Sequence, residues 1–195
     1  MPKTSITHPI RVDWIVDDLA GKVGLTLAPG KHGTSKVDRG AWARDLHADL
    51  DALVAHGMHT QVCLLEDHEL ESLKIPRLVE EAQRRKIAVV RLPIPDGGVL
   101  PDVNDVRDLV VDILDAAHAG NNVVIHCMGG LGRAGTIGGC VLVAHGLHVD
   151  DALARLRERR GDHCPETEAQ RMFIRAFARI ARAEGLRSDR RRPSF

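Results

Sequence analysis

Two rhythms of apolar and polar positions follow each other along the chain. The runs QVCLL (61–65), IAVVRL (87–92) and VVIH (123–126) are almost continuously apolar. They lack the two-residue alternation of a half-solvated strand and read as strands buried on both faces. The segment LTLAPGKHGTSK (25–36) starts apolar and passes into Gly, Pro, Ser and Lys, which predicts a short strand running into a loop. Other stretches keep helical spacing. Over 38–56 the apolar positions are Ala41, Trp42, Leu46, Leu50, Leu53 and Val54, with Gly57 as a stop. Residues 76–85 read as a helix opening with Pro76. The clearest helix follows Asp102, a natural N-cap, and runs through Val103, Val106, Leu109, Val110, Ile113, Leu114 and Ala117 to Gly120. A Gly-rich turn at 128–132 leads into a helix ending near His145, and two more helices fall at about 150–160 and 166–184. Strands alternating with helices predict an α/β domain, with a central, mostly parallel sheet flanked by helices.

Ligands of such sheets bind beyond the carboxyl ends of the strands. The turn after 123–126 is therefore the first place to look, and it reads His126-Cys127-Met128-Gly129-Gly130-Leu131-Gly132-Arg133. A tight loop between a strand and a helix can aim successive N–H groups inward, and such a nest at a helix N-terminus holds a phosphate-sized anion. Glycine permits the close approach and the positive φ this needs. A cysteine at its mouth sees the N–H groups, the helix dipole and Arg133, all of which favour the thiolate. A thiolate there is a nucleophile for phosphorus. Arg133 can bind two phosphoryl oxygens at once, and His126 can orient Cys127 through a hydrogen bond.

A departing oxygen needs a proton, and Asp96 in PIPDGGV is the candidate donor, with Gly97 and Gly98 letting its loop close. Asp102 is the rival, although its position suits a helix cap. A cysteine closing a buried strand is ordinarily an inert core thiol, and a Gly-rich turn before a helix is often only a turn. Neither the G-x-x-x-x-G-K-[ST] nor the G-x-G-x-x-G nucleotide pattern is present. The strand before, the glycines within, the helix after and the Asp loop upstream together favour a phosphate site.

Composition narrows the function further. The 195 residues carry 27 Lys plus Arg and 27 Asp plus Glu, so no global field draws in nucleic acid or an anionic membrane. Phe and Trp are few and Tyr is absent, which argues against stacking platforms for single strands. The longest apolar stretches fall far short of a membrane span. The start MPKTSITHPIRVDWIVDD has no apolar core of an export signal, so the expectation is a cytoplasmic chain with reduced thiols. Cys63, Cys127, Cys140 and Cys164 form no metal-ligand spacing, and no H-E-x-x-H occurs. No metal and no cofactor is expected. Cys63 and Cys140 read as core thiols and Cys164 as a loop residue.

The stretches GLTLAPGK (24–31), PIPDGGVLPD (93–102) and HCMGGLGR (126–133), with LEDHEL (65–70) less specifically, resemble the cysteine-dependent protein phosphatase superfamily of tyrosine and dual-specificity enzymes. The resemblance runs over about 20–180 and is greatest to the kinase-associated, cyclin-dependent-kinase-inhibitor-3-like members. It implies a dual-specificity-phosphatase-like fold and a metal-independent phosphomonoester hydrolase with a cysteinyl-phosphate intermediate. Cys127 would be the nucleophile, Arg133 and the loop N–H groups of Met128, Gly129, Gly130, Leu131 and Gly132 the phosphate ligands, and Asp96 the general acid. Gln170 resembles a glutamine set near the hydrolytic water, and a plain helix-surface residue is the other reading. Such enzymes usually carry Ser or Thr after the arginine, where this chain has Ala134. A slow second step would follow, and helix geometry points Thr136 elsewhere.

The neutral loop positions Met128 and Leu131 favour a phosphoprotein or phosphopeptide substrate, and the sequence places no tyrosine-recognising aromatic near the site. The alternatives are a low-turnover phosphoprotein-binding module, or a phosphatase for a phosphoinositide, an RNA 5′-phosphate or another non-protein ester. A disulfide between Cys63 and Cys127, known in relatives of this fold, competes with a plain buried thiol. The chain divides into an N-terminal segment (1–19), the phosphatase domain (20–185) and an Arg-rich tail (186–195).

Overall fold

The protein is described from a computed structural model, over residues 1–34, 40–99 and 102–186. Its elements are β1 (Asp13–Val16), β2 (Val23–Thr26), β3 (His32–Thr34), β4 (Ala41–Ala43), α1 (Leu46–Ala55), β5 (Thr60–Cys63), α2 (Asp67–Ser72), α3 (Leu78–Arg84), β6 (Ala88–Arg91), α4 (Val103–His118), β7 (Val123–His126), α5 (Gly132–Ala144), α6 (Val149–Arg160) and α7 (Glu168–Ala183).

The main sheet has the order β1-β2-β7-β5-β6. The pairs β2–β7, β7–β5 and β5–β6 are parallel, and β1 lies antiparallel on the edge. The continuous apolar runs follow from this arrangement. Val123 and Ile125 enter the core beneath α4, α5, α6 and α7, while Val124 enters the core beneath α1, α2 and α3. Central strand β7 is thus covered on both faces, and the chain leaving its carboxyl end emerges between β2 and β5. Helix α5 is buried along its whole length, which its small residues allow. A side chain at Gly139, for instance, would run into Ile174 of α7. Asp102 caps α4 by accepting from the Asn104 N–H at 2.8 Å, and Gly120 follows the helix with φ of 91°. Among the described residues no helix is long and apolar enough to cross a membrane.

The structure corrects several element boundaries. The helix expected over 38–56 starts only at Leu46, because Asp45 caps it by accepting from the Ala48 N–H at 2.7 Å. Ala41 and Trp42 belong instead to β4, where Trp42 faces Gly33 of β3 in a hairpin. Of the short strand running into a loop expected at 25–36, the strand is the end of β2, His32–Thr34 of the loop is strand β3, and 35–36 lie outside the described residues. LEDHEL contains α2, whose Glu66 and Glu69 form a reciprocal capping box. β1 falls within 1–19, so the N-terminal segment contributes a strand to the sheet. Apart from Leu186, the Arg-rich tail lies outside the described residues.

Candidate active site

The loop from Cys127 to Gly132 closes the carboxyl end of β7, and its carbonyls are tied outward one after another. The Met128 carbonyl accepts from the Ala28 N–H at 3.3 Å and from Lys31 Nζ at 3.1 Å. Arg160, the last residue of α6, donates Nη2 to the Gly129 carbonyl at 2.7 Å and Nε to the Gly130 carbonyl at 2.9 Å. The Leu131 carbonyl accepts from Cys164 Sγ at 3.3 Å, and the Gly132 carbonyl from the Thr136 hydroxyl at 2.9 Å. In a planar trans peptide the N–H points opposite to the C=O. Outward carbonyls therefore turn the following N–H groups toward the inside of the loop. Gly130 has φ of 72°, and a Cβ there would run into the Thr26 carbonyl and the Arg160 guanidinium, so only glycine fits.

Cys127 sits at the mouth of this cradle, where its sulfur accepts from the Gly130 N–H at 3.3 Å. Arg133, in the first turn of α5, is buried under the cradle and held on several sides. Glu69 takes its Nη1 and Nη2 at 2.6 and 2.8 Å, and the Ile94 carbonyl takes Nη1 at 2.8 Å. Burial opposes the charge. The Glu69 hydrogen bonds and the neighbouring Cys127 and Asp96 outweigh it and hold the guanidinium above its ordinary pKa. Asp96 reaches Arg133 Nη2 at 3.1 Å while its carboxylate stays part-exposed on the cleft. Asp102 serves α4 as a cap, so of the two candidate acids Asp96 is the one that the structure brings to the cradle.

His126 is fully buried, and burial lowers its pKa to about 4, against a smaller raising influence from the Cys127 backbone. Its Nε2 lies 2.7 Å from Gln61 Nε2. His126 thus neighbours Gln61 through Nε2 and also feels the Cys127 backbone, while the Cys127 sulfur takes its hydrogen bond from the Gly130 N–H. Gln170 is buried rather than on a helix surface. It completes the α7 capping box with Thr167, and its Nε2 donates to the Gly98 carbonyl, in the Asp96 loop, at 3.3 Å.

The other thiols are buried too. Burial raises the pKa of Cys140, inside α5, and pushes Cys164 up to about 12. Cys63 packs in the core under α1–α3, on the opposite face of the sheet from the core that Cys127 joins, and burial raises its pKa as well. Thr136 spends its hydroxyl on the Gly132 carbonyl, one turn back along its own helix.

Four residues of the site escape a reading of local pattern: Glu69, Lys31, Trp42 and Arg160. Glu69 could have been suspected from the E-x-x-E of a capping box, although nothing local points it at Arg133. Lys31 and Trp42 line the cleft together with Cys127, Asp96 and Arg133, so an aromatic does stand beside the cradle.

Comparison with known proteins agrees with this geometry. The chain matches the family described as Swiss Army Knife protein, DSP-PTPase phosphatase domain, over residues 42–191. It is 26% identical over 136 residues to cyclin-dependent kinase inhibitor 3 of Rattus norvegicus, an alignment covering 69% of this chain and 64% of that relative's length. Tk-PTP in its active form superposes with a TM-score of 0.67 at 30% identity, over 86% of this chain and 96% of that one. A kinase-associated phosphatase bearing serine in place of its catalytic-site cysteine gives a TM-score of 0.77 over 90% and 98% of the two chains. At 24% identity that second likeness is one of fold.

Proposed function

The chain belongs to the DSP-PTPase phosphatase domain family, and from that premise we propose that it hydrolyses phosphomonoesters without a metal, through a cysteinyl phosphate on Cys127. The observation that carries this reading is the cradle itself. Five consecutive carbonyls are drawn outward, a cysteine stands at the mouth, and a buried arginine lies underneath with a part-exposed carboxylate touching it.

In the first step Cys127 sulfur attacks phosphorus. The S–P bond forms as the ester P–O bond breaks, and Asp96 gives its proton to the departing oxygen. Inward N–H groups and Arg133 take the charge on the phosphoryl oxygens. Phosphate binding competes with Asp96 for Arg133 Nη2, which releases the Asp96 carboxyl toward the departing oxygen. In the second step water attacks phosphorus and the S–P bond breaks, returning its electron pair to sulfur. Asp96 accepts the water proton and inorganic phosphate leaves. Gln170, held to the loop of Asp96, is suited to orient that water.

A phosphoprotein is the substrate we favour. Met128 and Leu131 put no cation into the cradle loop itself, and the cleft, of about 280 Å³, adds Trp42 and Leu73 as contact surface for a polypeptide. A cytoplasmic site of action fits four buried, unbridged thiols. The test is hydrolysis of p-nitrophenyl phosphate by the native protein and by Cys127→Ser, with EDTA present. Native activity that survives EDTA and vanishes in the variant is expected. A folded, reduced native protein without activity, or an active Cys127→Ser, overturns the reading.

A further inference from the structure

The sulfur of Cys127 is reached from behind its loop by a line of contacts that begins two strands away. Asp13 opens the edge strand β1 opposite Leu25 of β2, and Leu25 lies opposite Ile125 of β7. That register sets Asp13 near the carboxyl ends of β2 and β7, the end of the sheet that the cradle closes. There its carboxylate accepts from Arg160 Nη1 at 2.6 Å. The rest of the guanidinium is spent on the cradle, with Nη2 on the Gly129 carbonyl at 2.7 Å and Nε on the Gly130 carbonyl at 2.9 Å. The Gly129 carbonyl shares one planar peptide with the Gly130 N–H, and that N–H is the donor to the Cys127 sulfur at 3.3 Å. This peptide lies between two glycines, which leave its plane free to turn. Arg160 fixes the plane from outside, and a cation on the carbonyl also polarises the N–H on the far side. The pair that does this is enclosed, with 9% of the Arg160 side chain and 12% of the Asp13 side chain exposed. Arg11 shares the Asp13 carboxylate at 3.3 Å but is 72% exposed.

We propose that Asp13 is a positioning residue for the nucleophile: through Arg160 it holds the Gly129–Gly130 peptide with its N–H on the Cys127 sulfur, and so stabilises the thiolate. The inference rests on the reading of Cys127 as the nucleophile. Its sign separates it from a simple effect of charge. A carboxylate near a thiolate opposes ionisation, so an Asp13 that acted by its field alone would favour the thiolate when removed. An anchor does the reverse, because without it the donor N–H leaves the sulfur. The other titratable groups around the sulfur stay in place throughout. Arg133 of α5, Cys164 before α7 and His126 beside it are coupled to Cys127. Lys31, His32, Asp96 and Glu166 share the cleft with it.

Alkylation of Cys127 by iodoacetamide across a pH series, read by mass spectrometry, tests this without turnover. Asp13→Ala should move the midpoint of the profile up by about one pH unit, the size expected when one hydrogen bond to a charged atom is lost. Asp13→Asn removes the same charge but keeps an acceptor for Arg160 Nη1, and should stay close to the native midpoint. Arg160→Lys keeps the charge but not the fork that spans two carbonyls, and should move the midpoint up as Asp13→Ala does. Arg11→Ala should keep the native midpoint and native kinetics. Below the native midpoint, kcat/KM of Asp13→Ala on p-nitrophenyl phosphate should fall about tenfold, and the loss should close at higher pH. Circular dichroism at each pH confirms that the variants are folded. A midpoint that is unchanged or lowered in Asp13→Ala overturns the proposal, as does an unchanged midpoint in Arg160→Lys. An Asp13→Asn shift as large as that of Asp13→Ala overturns the anchor, and an equal shift in Arg11→Ala overturns the route through Arg160. If the midpoints move as described while the native protein hydrolyses nothing, the line from Asp13 to the sulfur stands and the phosphatase reading falls.

Discussion

Replacing Glu69 by alanine removes the carboxylate that holds the arginine of the cradle. Both side chains are almost fully enclosed, with 4% of Glu69 and 1% of Arg133 exposed. Two bonds of 2.6 and 2.8 Å join them. Taking one partner from such a pair strands the other charge in a poorly polarisable interior and costs about 3–5 kcal/mol. A whole domain is stable by only about 5–15 kcal/mol. In a chain of this size each kcal/mol moves Tm by about 2–4 °C, so Glu69→Ala should melt about 6–20 °C below the native protein. The activity effect is separate. An Arg133 without its fork partner no longer meets the phosphoryl oxygens in register, and kcat/KM on p-nitrophenyl phosphate should fall about 100-fold. Glu69→Gln keeps the shape and one acceptor but not the charge, and should lie between the two on both scales. The assay is thermal unfolding by circular dichroism, with kinetics taken well below each Tm. A Glu69→Ala protein with native Tm and native kcat would show that Arg133 owes its position to something other than Glu69.

Asp96→Asn should lower kcat by about 10²–10⁴ on an alkyl phosphate and much less on p-nitrophenyl phosphate, whose leaving group needs no proton; equal losses on both would remove Asp96 as the acid. In rapid mixing, the native protein should release about one equivalent of p-nitrophenol before a slower steady state, because Ala134 offers no hydroxyl to the departing sulfur. Ala134→Ser should raise the steady rate and shrink that burst, whereas a single-phase native time course contradicts a slow second step. His126 supplies a pH dependence of stability. Its folded pKa, about 4, lies below the unfolded value of 6.5, so the unfolded chain binds the proton first as pH falls. The stability from a neutral His126 is complete above about 6.5 and is lost from there down toward 4, by up to roughly 1.4 kcal/mol per pH unit. Urea unfolding between these limits should show a shallower slope for His126→Asn, and an unchanged slope would refute this assignment.

What the sequence made legible was whatever depends on near neighbours. The run VVIH, the glycines after it and Arg133 lie within a dozen positions, and the structure keeps them as strand, cradle and helix start. Asp102 and Gly120 were readable as caps for the same reason. Contacts across the fold were not. Glu69 meets Arg133 from 64 positions away, and Arg160 meets the Gly129 carbonyl from 31 away. Nothing in the local pattern of either residue announces the partner. Trp42 misled because a three-residue strand imposes too short a pattern to compete with the helical spacing that runs on through Leu46 and Leu50. Its place in a hairpin beside the cradle is set by pairing with Gly33 and by the cations around its ring. The family resemblance begins only at about residue 20, so nothing in the sequence signals that Asp13 of the preceding segment anchors Arg160, which in turn holds the cradle.

The central claim is that phosphorus passes through the sulfur of Cys127. The direct measurement is acid quenching of the native protein during turnover of p-nitrophenyl phosphate, followed by mass spectrometry of the peptide that contains Cys127. The account predicts one added phosphoryl group on Cys127 in the native protein and none in Cys127→Ser. Steady turnover with no phosphorylated Cys127 at any quench time, or a phosphoryl group on another residue, would contradict it.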